Sequence, residues 1–299
     1  MATQTDVNLP GIETERKATT AVAANRRNVR RFLFMILIWI IALAWALPLL
    51  WILISSFKNQ WEIPRFNWIP EAPTLENYLN LFDPQGRAVN IVAALANSVI
   101  VAVAATLGAL FACSCAGYAF ARLKFWGRDI IFVMLLATLM IPSEIVLVPL
   151  FLQFYRLKLL NTYFALVAPH MVSILGVFLM RQFMLSIPRE LEEAAAIEGA
   201  GPFTTFWRIV LPLTKPSLAT LAVLVFLGSW NDFLWPLIVV NKPALNTLPL
   251  ALITFRSAYG AQDYGTVLSS VMFAVIPPLL FFAFAQNLIV TSISRTGIK

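Results

Sequence analysis

Long uncharged apolar runs are the feature that most restricts the fold of this chain. The clearest run, Phe32 to Ile54, has 23 consecutive residues without a charged side chain. A helix needs about 20 such residues to cross the roughly 30 Å of hydrocarbon in a bilayer. Apolar types make up 60% of the residues, charged types make up 12%, and the mean hydropathy is +0.78, which excludes a soluble domain of this size. The sequence therefore predicts an integral membrane protein.

The hydropathy pattern predicts an all-α membrane protein with six transmembrane helices. The first apolar run is too long for a signal peptide and no small-residue cleavage site follows it, so it is interpreted as a retained helix. The predicted spans are residues 32–54, 89–120, 130–154, 163–180, 217–239 and 266–292. They divide the chain into a basic N-terminal tail (1–31), a transmembrane domain (32–293) and a short C-terminal tail (294–299). Residues 1–24 show no apolar period and are predicted to be unstructured.

Basic residues are distributed unevenly between the segments that separate these spans. With the N-terminus in the cytoplasm, the cytoplasmic segments hold 15 of the 22 lysines and arginines, and the external segments hold seven. Because cytoplasmic segments carry an excess of these residues, both termini and the loop between spans four and five are predicted to face the cytoplasm. The net charge of +7 then reflects membrane topology, and no nucleic-acid partner is expected.

That loop, residues 186–216, contains a polar stretch (189–216) that lies between two long apolar runs. Its first part has strong helix formers and four carboxylates, which predict a helix over residues 188–198. Gly199 follows where a helix commonly ends in the left-handed conformation. The loop is therefore predicted to form a helix, a glycine elbow and a second helix.

The second helix of the loop is predicted to begin with Pro202 in its first turn. Pro212 and Pro216 are expected to break it. Four large side chains should share one side of this helix, namely Phe203, Phe206, Trp207 and Val210.

The first helix of the loop has a face of mostly small and apolar residues. At helical spacing, this face holds Leu191, Ala194, Ala195 and Glu198, and Glu190 and Glu193 rim it. Alanine side chains allow another protein to approach closely, and carboxylates can meet basic residues there. An amphipathic helix lying on the membrane is the alternative, although such helices usually carry lysine and arginine.

Seven residues of the loop stand at a fixed spacing, as E-A-A, three residues, G, nine residues and I-x-L-P. They are Glu193, Ala194, Ala195, Gly199, Ile209, Leu211 and Pro212. This pattern resembles the coupling-loop signature of the membrane subunits of binding-protein-dependent ATP-binding-cassette importers. The stretches ELEEAAAIEGAG and GSWNDFLWPLIV resemble the carbohydrate branch, on the side of the second permease subunit of maltose-type importers. The resemblance extends from about Phe32 to the C-terminus, with Glu198 where the family often has Asp.

The resemblance implies a permease subunit that is not itself an enzyme and binds no cofactor. Its expected partners are a homologous second permease, two ATPase subunits that bind ATP and Mg²⁺, an extracytoplasmic solute-binding protein and membrane lipid. The expected location is a bacterial or archaeal cytoplasmic (inner) membrane. Glu193, with Glu190 beside it, would anchor the loop to the ATPase, Ala194 and Ala195 would permit close contact, and Gly199 would set the turn. The expected solute is a sugar, oligosaccharide, polyol or glycerol phosphate.

Four polar or aromatic residues within the predicted spans are candidates for the solute path. Trp230, Asn231 and Asp232 combine rings with amide and carboxylate groups, as sugar recognition requires, but they also fit an interface anchor. Glu144 lies between two prolines. It must face protein or water if it is deep in the membrane, or it caps the outer surface if the helix ends at Pro142.

The second predicted span carries small residues along one face, which allows helices to approach closely. These are Ala104, Gly108, Ala112 and Ala116, with Ala105, Ala109, Cys113 and Gly117 beside them. The spacing predicts a helix in the middle of the bundle. The two cysteines, Cys113 and Cys115, are interpreted as packing residues rather than metal or redox groups.

Several motifs of other function classes are absent from the sequence. It contains no GxxxxGK[ST] phosphate loop, no HExxH and no GxSxG, so ATP hydrolysis by this chain and common hydrolase chemistries are not expected. Ion-coupled secondary transport is the main alternative, and an importer of a non-sugar solute is another. A secondary transporter would usually carry carboxylates in several spans, whereas here they cluster in one loop.

Overall fold

Every regular element in the described part of the chain is helical. The computed structural model describes residues 10–65, 67–82, 90–259 and 263–296. The α-helices are α1 (Pro10–Ser55), α2 (Glu76–Phe82), α3 (Ile91–Arg122), α4 (Arg128–Ala137), α5 (Ser143–Arg156), α6 (Tyr163–Val167), α7 (Ile174–Leu185), α8 (Glu190–Ile197), α9 (Pro202–Thr205), α10 (Leu211–Leu213), α11 (Lys215–Trp230), α12 (Leu234–Val239), α13 (Leu248–Tyr259) and α14 (Tyr264–Thr296). Short 3₁₀ turns cover Thr138–Met140, Ala168–His170 and Pro243–Leu245, and a π-helical turn covers Phe206–Val210.

Three helical segments are long and apolar enough to cross a membrane, namely Asn28–Ser55, Ile91–Arg122 and Tyr264–Gln286. Three further pairs of helices meet this criterion together but bend at a short break. The bends are 103° between α4 and α5, 44° between α6 and α7, and 77° between α10 and α11. By length and composition the described residues thus contain three to six spans. This confirms the all-helical, multi-pass membrane class, while the count of six stays a prediction.

The first and last helices extend beyond the predicted spans. α1 begins at Pro10, so residues 10–24, predicted to be unstructured, are helical. This segment contains many good helix formers, and no proline after Pro10 separates it from the apolar run that follows. At the other end α14 continues to Thr296, past the predicted limit of the sixth span. Residues 1–9 and 297–299 of the predicted tails lie outside the described residues.

α3 lies at the centre of the helix bundle, as its small residues predicted. Ala105, Ala109 and Cys113 are fully buried, and α3 packs chiefly against α7 and α11. By contrast, the membrane-length part of α1 has no buried residue in its most apolar window and lies at the periphery against α14. Close helix contact through small residues therefore identifies the second predicted span as the bundle core.

Gly117 is expected to be a site where even alanine destabilises the protein. An added Cβ would lie 2.7 Å from Cβ of Met180 and 3.0 Å from the backbone nitrogen of Arg181. Because α7 would have to shift, Gly117→Ala should lower the free energy of unfolding by about 1–3 kcal/mol. Gly228→Ala is the matched control, since nothing lies within 4 Å of its added Cβ and alanine favours the helix. Thermal unfolding in detergent checks both variants, and equal unfolding temperatures would contradict this packing.

One helix was not predicted from the sequence. α13 lies in the segment that was interpreted as a loop between the fifth and sixth spans. Leu248, Ala251 and Phe255 of α13 are fully buried in a second cluster with Phe226 and Trp230 of α11. The apolar stretch LPLALITF is too short for a membrane span, but its length suits a buried helix.

In the described part of the segment between α1 and α3, α2 packs against α14 and α3 at one end of the bundle. Thr74 caps α2, since its Oγ1 accepts the Glu76 N–H at 3.1 Å. Lys58 is fully buried, where its Nζ donates to the Asn67 carbonyl and lies 4.4 Å from the Trp51 ring centre. These contacts explain how a lysine can be buried at this end of the bundle.

Candidate functional site

The polar loop, residues 186–216, contains a helix that ends at a left-handed glycine. α8 is followed by Gly199 with φ +85°. The Ala200 N–H donates to the Ala195 carbonyl at 2.9 Å, and the Gly199 N–H donates to the Ala196 carbonyl at 3.0 Å. This is the Schellman arrangement that satisfies the last carbonyls of a helix. The predicted glycine elbow is therefore confirmed.

The two faces of α8 differ from the predicted ones. Ala195 is 6% exposed and faces the interior of this chain, whereas Ala194 is exposed. The predicted face, with Ala194 and Ala195 side by side, is thus split. The exposed surface of α8 holds Glu190, Leu191, Glu193, Ala194, Ala196 and Ile197, and the capping residue Glu198 is exposed as well. Ile197 is 89% exposed, so a large apolar side chain projects from a surface rimmed by carboxylates.

Arg122, the last residue of α3, connects α8 to the membrane helices. Its Nε lies 2.7 Å from Oε1 of Glu192 in an ion pair without hydrogen-bond alignment, and its side chain is 5% exposed. Its Nη2 also donates to the carbonyls of Met184, at 2.7 Å, and Ile187, at 2.6 Å. One guanidinium therefore holds together the end of α3, the end of α7 and the inner face of α8.

The pairing of Arg122 with Glu192 was not predicted from the sequence. Arg122 had been counted only as a cytoplasmic basic residue, and Glu192 only as one of four carboxylates. A basic residue at the end of a buried apolar helix, near a loop rich in carboxylates, is the signal that could have found it.

The second helix of the loop is longer than predicted and includes a π-helical turn. α9, the turn Phe206–Val210 and α10 continue through Pro212, and the break comes at Thr214. The Leu211 N–H donates to the Phe206 carbonyl. A proline inside an α-helix normally clashes with the carbonyl of the residue four positions before it. The wider π-helical turn moves that carbonyl away from the proline ring, so the helix continues through Pro212. The prediction that Pro212 breaks the helix was wrong.

Only part of the predicted aromatic side is buried. Phe206 and Val210 are buried in the core, while Phe203 is 77% exposed and Trp207 is 39% exposed. Of the remaining residues of the loop signature, Ile209 and Leu211 are half-buried and Pro212 is exposed. The helix therefore packs into the bundle through Phe206 and Val210, while Phe203 and Trp207 stay exposed.

Trp230 does not present its ring to a solute in the way the sequence suggested. It is 3% exposed and stacks on Phe226, with ring centres 5.7 Å apart and an interplanar angle of 15°. Trp235 is also buried, and its Nε1–H donates to the Ala165 carbonyl at 2.7 Å. Burial also excludes Trp230 as an anchor at the membrane interface. Asn231, by contrast, is exposed.

Asp232 is bound to His170. Its Oδ2 lies 3.0 Å from Nε2 of His170, and its Oδ1 accepts the Trp235 N–H at 3.3 Å. The side chains are 19% and 25% exposed. The structure therefore brings Asp232 together with the only histidine of the chain, across two helices that sequence analysis had not joined.

Glu144 lies apart from these residues. It is exposed in the first turn of α5, just after the 103° break, and Ser143 Oγ donates to its Oε1 at 3.2 Å. Among the described residues no hydrogen bond or ion pair joins it to Asp232. The preceding helix ends before Pro142, as the surface alternative requires, and the depth of Glu144 in the membrane stays a prediction.

Comparisons with known proteins agree with the loop signature. The model of the family "Binding-protein-dependent transport system inner membrane component" matches residues 104–295. The arabinooligosaccharides transport system permease protein AraQ of Halalkalibacterium halodurans is 36% identical over 276 residues, which cover 88% of this chain and 97% of AraQ. The diacetylchitobiose uptake system permease protein NgcG of Streptomyces coelicolor is 32% identical over 282 residues, covering 93% of this chain and 91% of NgcG.

A solved structure supports the fold. A chain of a bacterial ABC transporter involved in the import of the acidic polysaccharide alginate superposes with a TM-score of 0.75 at 21% identity, over 87% of this chain and 96% of that chain. The relatives are permease proteins, which are transport components rather than enzymes, so this chain is a transport component as well. The predicted family is confirmed: the chain belongs to the inner membrane components of binding-protein-dependent transport systems.

Proposed function

We propose that this chain is the permease subunit through which an ATP-driven importer carries a sugar-class solute, and that its polar loop docks on a separate ATPase. The observation that carries this proposal is the division of α8 into two faces. The inner face is held by Arg122, while the outer face exposes Glu190, Glu193 and Ile197. Within the described part of the chain no hydrogen bond or ion pair engages the two outer carboxylates.

The coupling mechanism follows from these contacts. Closure of the ATPase dimer displaces α8, and the ion pair of Glu192 with Arg122 transmits the displacement to the ends of α3 and α7. The Gly199 turn and the following helix transmit it to α11, which begins directly after Thr214, and to α3, where Tyr118 packs on Phe206 with ring centres 4.9 Å apart. The membrane helices then switch between inward and outward access as packed units.

The proposed topology has six spans, with each bent pair of helices counted as one span. Both termini and the loop at 186–216 are cytoplasmic, and residues 1–31, 32–293 and 294–299 keep the division into tail, transmembrane domain and tail. The uneven distribution of lysine and arginine supports this orientation. This orientation places the outer face of α8 in the cytoplasm, the compartment that contains ATP.

The proposed assembly has four kinds of protein. A homologous second permease covers exposed apolar surface of this chain, two ATPase subunits bind ATP and Mg²⁺, and an extracytoplasmic binding protein delivers the solute. The family, whose members depend on binding proteins, supports the last of these. In the loop, Glu190, Glu193, Ala194, Gly199 and Ile197 contact the ATPase, while Ala195 packs α8 onto its own chain.

The proposed solute is a short oligosaccharide or a related polyhydroxylated molecule. AraQ and NgcG, which align with about nine tenths of this chain, are named for arabinooligosaccharides and diacetylchitobiose. Both names describe short chains of sugar units. The similarity of this chain to two permeases of different sugars supports the class of solute rather than one member of it.

The test is purification of this chain from its native membrane in detergent, followed by an ATPase assay of the material obtained. An ATPase subunit and a second permease are expected to copurify, with ATP hydrolysis that rises when solute-loaded binding protein is added. The control is the same preparation in EDTA, which removes Mg²⁺ and should abolish hydrolysis. A chain that purifies alone and transports solute in response to an ion gradient would instead establish a secondary transporter.

A further inference from the structure

A cavity of about 290 Å³ lies beside the His170–Asp232 pair, in the groove between α7 and α11. We propose that it is a subsite for one sugar ring, in which His170 and Ser173 bind ring hydroxyls, so that this subunit itself contacts the solute. This inference rests on the proposed function and assigns part of the solute path to particular residues. The cavity is lined by His170, Ser173, Leu175, Gly176, Leu221, Leu224, Val225 and Gly228.

Two helix breaks lie at or beside this cavity: the first contributes Ser173 to its lining, and the second is joined to it through the contact of Asp232 with His170. The chain leaves helical geometry at residues 171–173, between α6 with its 3₁₀ turn and α7, and again at 231–233, between α11 and α12. Non-helical backbone at membrane depth is tolerated where it lines a water-filled cavity or is buried in protein. Discontinuous helices of this kind form solute sites in other transporters.

The pair of His170 and Asp232 joins the two breaks and determines which atoms remain available for a ligand. Both carboxylate oxygens of Asp232 already accept a hydrogen bond, one from His170 and one from the Trp235 N–H. With Nε2 of His170 donating to the carboxylate, the ring keeps Nδ1 as its acceptor. Asp232 is thus a positioning residue, and His170 is the ligand-binding residue.

Ser173 supplies the complementary donor. Its Oγ accepts the Gly176 N–H at 3.1 Å and so caps α7. That bond uses a lone pair and leaves the hydroxyl proton for a ligand. The cavity therefore offers one acceptor, one donor and an aliphatic wall from Leu221 and Val225. A sugar ring has hydroxyl groups and C–H surfaces that match this combination.

The volume of the cavity suits a single sugar ring. Pockets that enclose drug-sized ligands have volumes of about 300–1,000 Å³, and this cavity lies at the lower limit of that range. Its mouth is bordered by exposed Leu175 and Leu224, so the rest of an oligosaccharide can extend outward toward the proposed second permease. The subsite therefore binds one sugar unit of the solute.

The first test is labelling of cysteines in the cavity by a charged, water-soluble methanethiosulfonate. The parent complex carries Cys113→Ala and Cys115→Ala, and Ser173→Cys or Gly228→Cys is added to it. Both added cysteines should react, whereas Ala109→Cys, at a fully buried position of α3, should not. Gly228→Cys is the safer variant because nothing lies within 4 Å of its added Cβ. Unreactive cysteines at both cavity positions would overturn the proposal.

The second test distinguishes a ligand-binding role of His170 from a purely structural role. His170→Gln keeps a donor for Asp232 but changes the acceptor in the cavity. Uptake of two probes, arabinotriose and N,N′-diacetylchitobiose, is measured with the appropriate binding protein for each. The ratio of the two uptake rates is expected to change by about two- to tenfold, the worth of one hydrogen bond. Equal slowing of both probes would show a structural contact only and would overturn the role of His170 as a ligand.

The two proposals fail in different ways. If the complex copurifies with an ATPase but the cysteines added to the cavity are unreactive and the probe ratio is unchanged, only the subsite is wrong. If no ATPase copurifies and transport follows an ion gradient, the proposed function is wrong.

Discussion

Gly199→Asp is expected to reduce solute uptake by more than tenfold while the protein still accumulates in the membrane. Nothing in the described chain lies within 4 Å of the Cβ that a side chain would add, so the change does not disturb internal packing. The left-handed backbone, with φ +85°, costs a non-glycine residue roughly 1–2 kcal/mol, which strains the turn without unfolding a domain of this size. The large effect comes from the partner, because bulk and charge enter the proposed ATPase contact.

The magnitude follows from interface energetics. A badly matched charge at a protein interface costs several kcal/mol, and about 1.4 kcal/mol already corresponds to a factor of ten in binding. Uptake by whole cells and the amount of chain in the membrane fraction are the two measurements. Loss of the chain from the membrane would point to misfolding rather than to uncoupling.

Gly201→Asp is the matched control for Gly199→Asp. It places the same charge two residues further along, where the added Cβ also meets nothing within 4 Å and the backbone, with φ −74°, has no left-handed strain. It also precedes α9, where aspartate is a favourable cap. Most of the uptake should survive. Equal loss in both variants would contradict a specific contact at the Gly199 turn.

The features predicted correctly from the sequence depend on short-range signals. The Gly199 turn follows from carboxylate-rich helix formers that stop at a glycine, and it forms as expected. The central position of α3 follows from small residues at helical spacing, and Ala105 and Ala109 are fully buried. Each of these features is determined within a few residues of chain.

The rotation of α8 about its axis could not be predicted in this way. Helical spacing alone allows Ala194 and Ala195 to share a face with Leu191, but the ion pair with Arg122 turns Ala195 inward. That partner comes from the end of α3, far away in the sequence. Similarly, the pairing of His170 with Asp232 depends on how two broken helices meet.

Trp230 illustrates the same limit for the candidate solute path. A tryptophan beside an asparagine and an aspartate suggests sugar stacking, yet Phe226 stacks on Trp230 and buries its ring. Phe281 of α14 in turn stacks on Phe226, with ring centres 4.0 Å apart. The surroundings of the Trp230 ring include a helix from a distant part of the chain. The residues next to Trp230 in the sequence do not reveal this packing.

Glu192 and Glu193 are adjacent carboxylates that are expected to have opposite effects when replaced by alanine. Glu192 is 16% exposed and paired with Arg122, whereas Glu193 is exposed. Removing one member of a buried ion pair typically costs about 3–5 kcal/mol, because the other charge stays buried without a partner. Glu192→Ala should therefore lower the thermal stability of the isolated chain in detergent, and Glu193→Ala should leave it unchanged.

In the amount of ATPase that copurifies, Glu193→Ala should have the larger effect and Glu192→Ala the smaller one. Glu193→Ala removes an outer carboxylate of the proposed docking surface and is expected to reduce the amount of ATPase that copurifies. Glu192→Ala leaves that surface in place but loosens α8 from α3 and α7, so the ATPase should still bind while the solute imported per ATP hydrolysed falls. Arg122→Ala should behave like Glu192→Ala, since it removes the same ion pair and also the donors to Met184 and Ile187. If Glu192→Ala abolished ATPase binding and left stability intact, Glu192 would belong to the docking surface, and α8 would transmit motion by another contact.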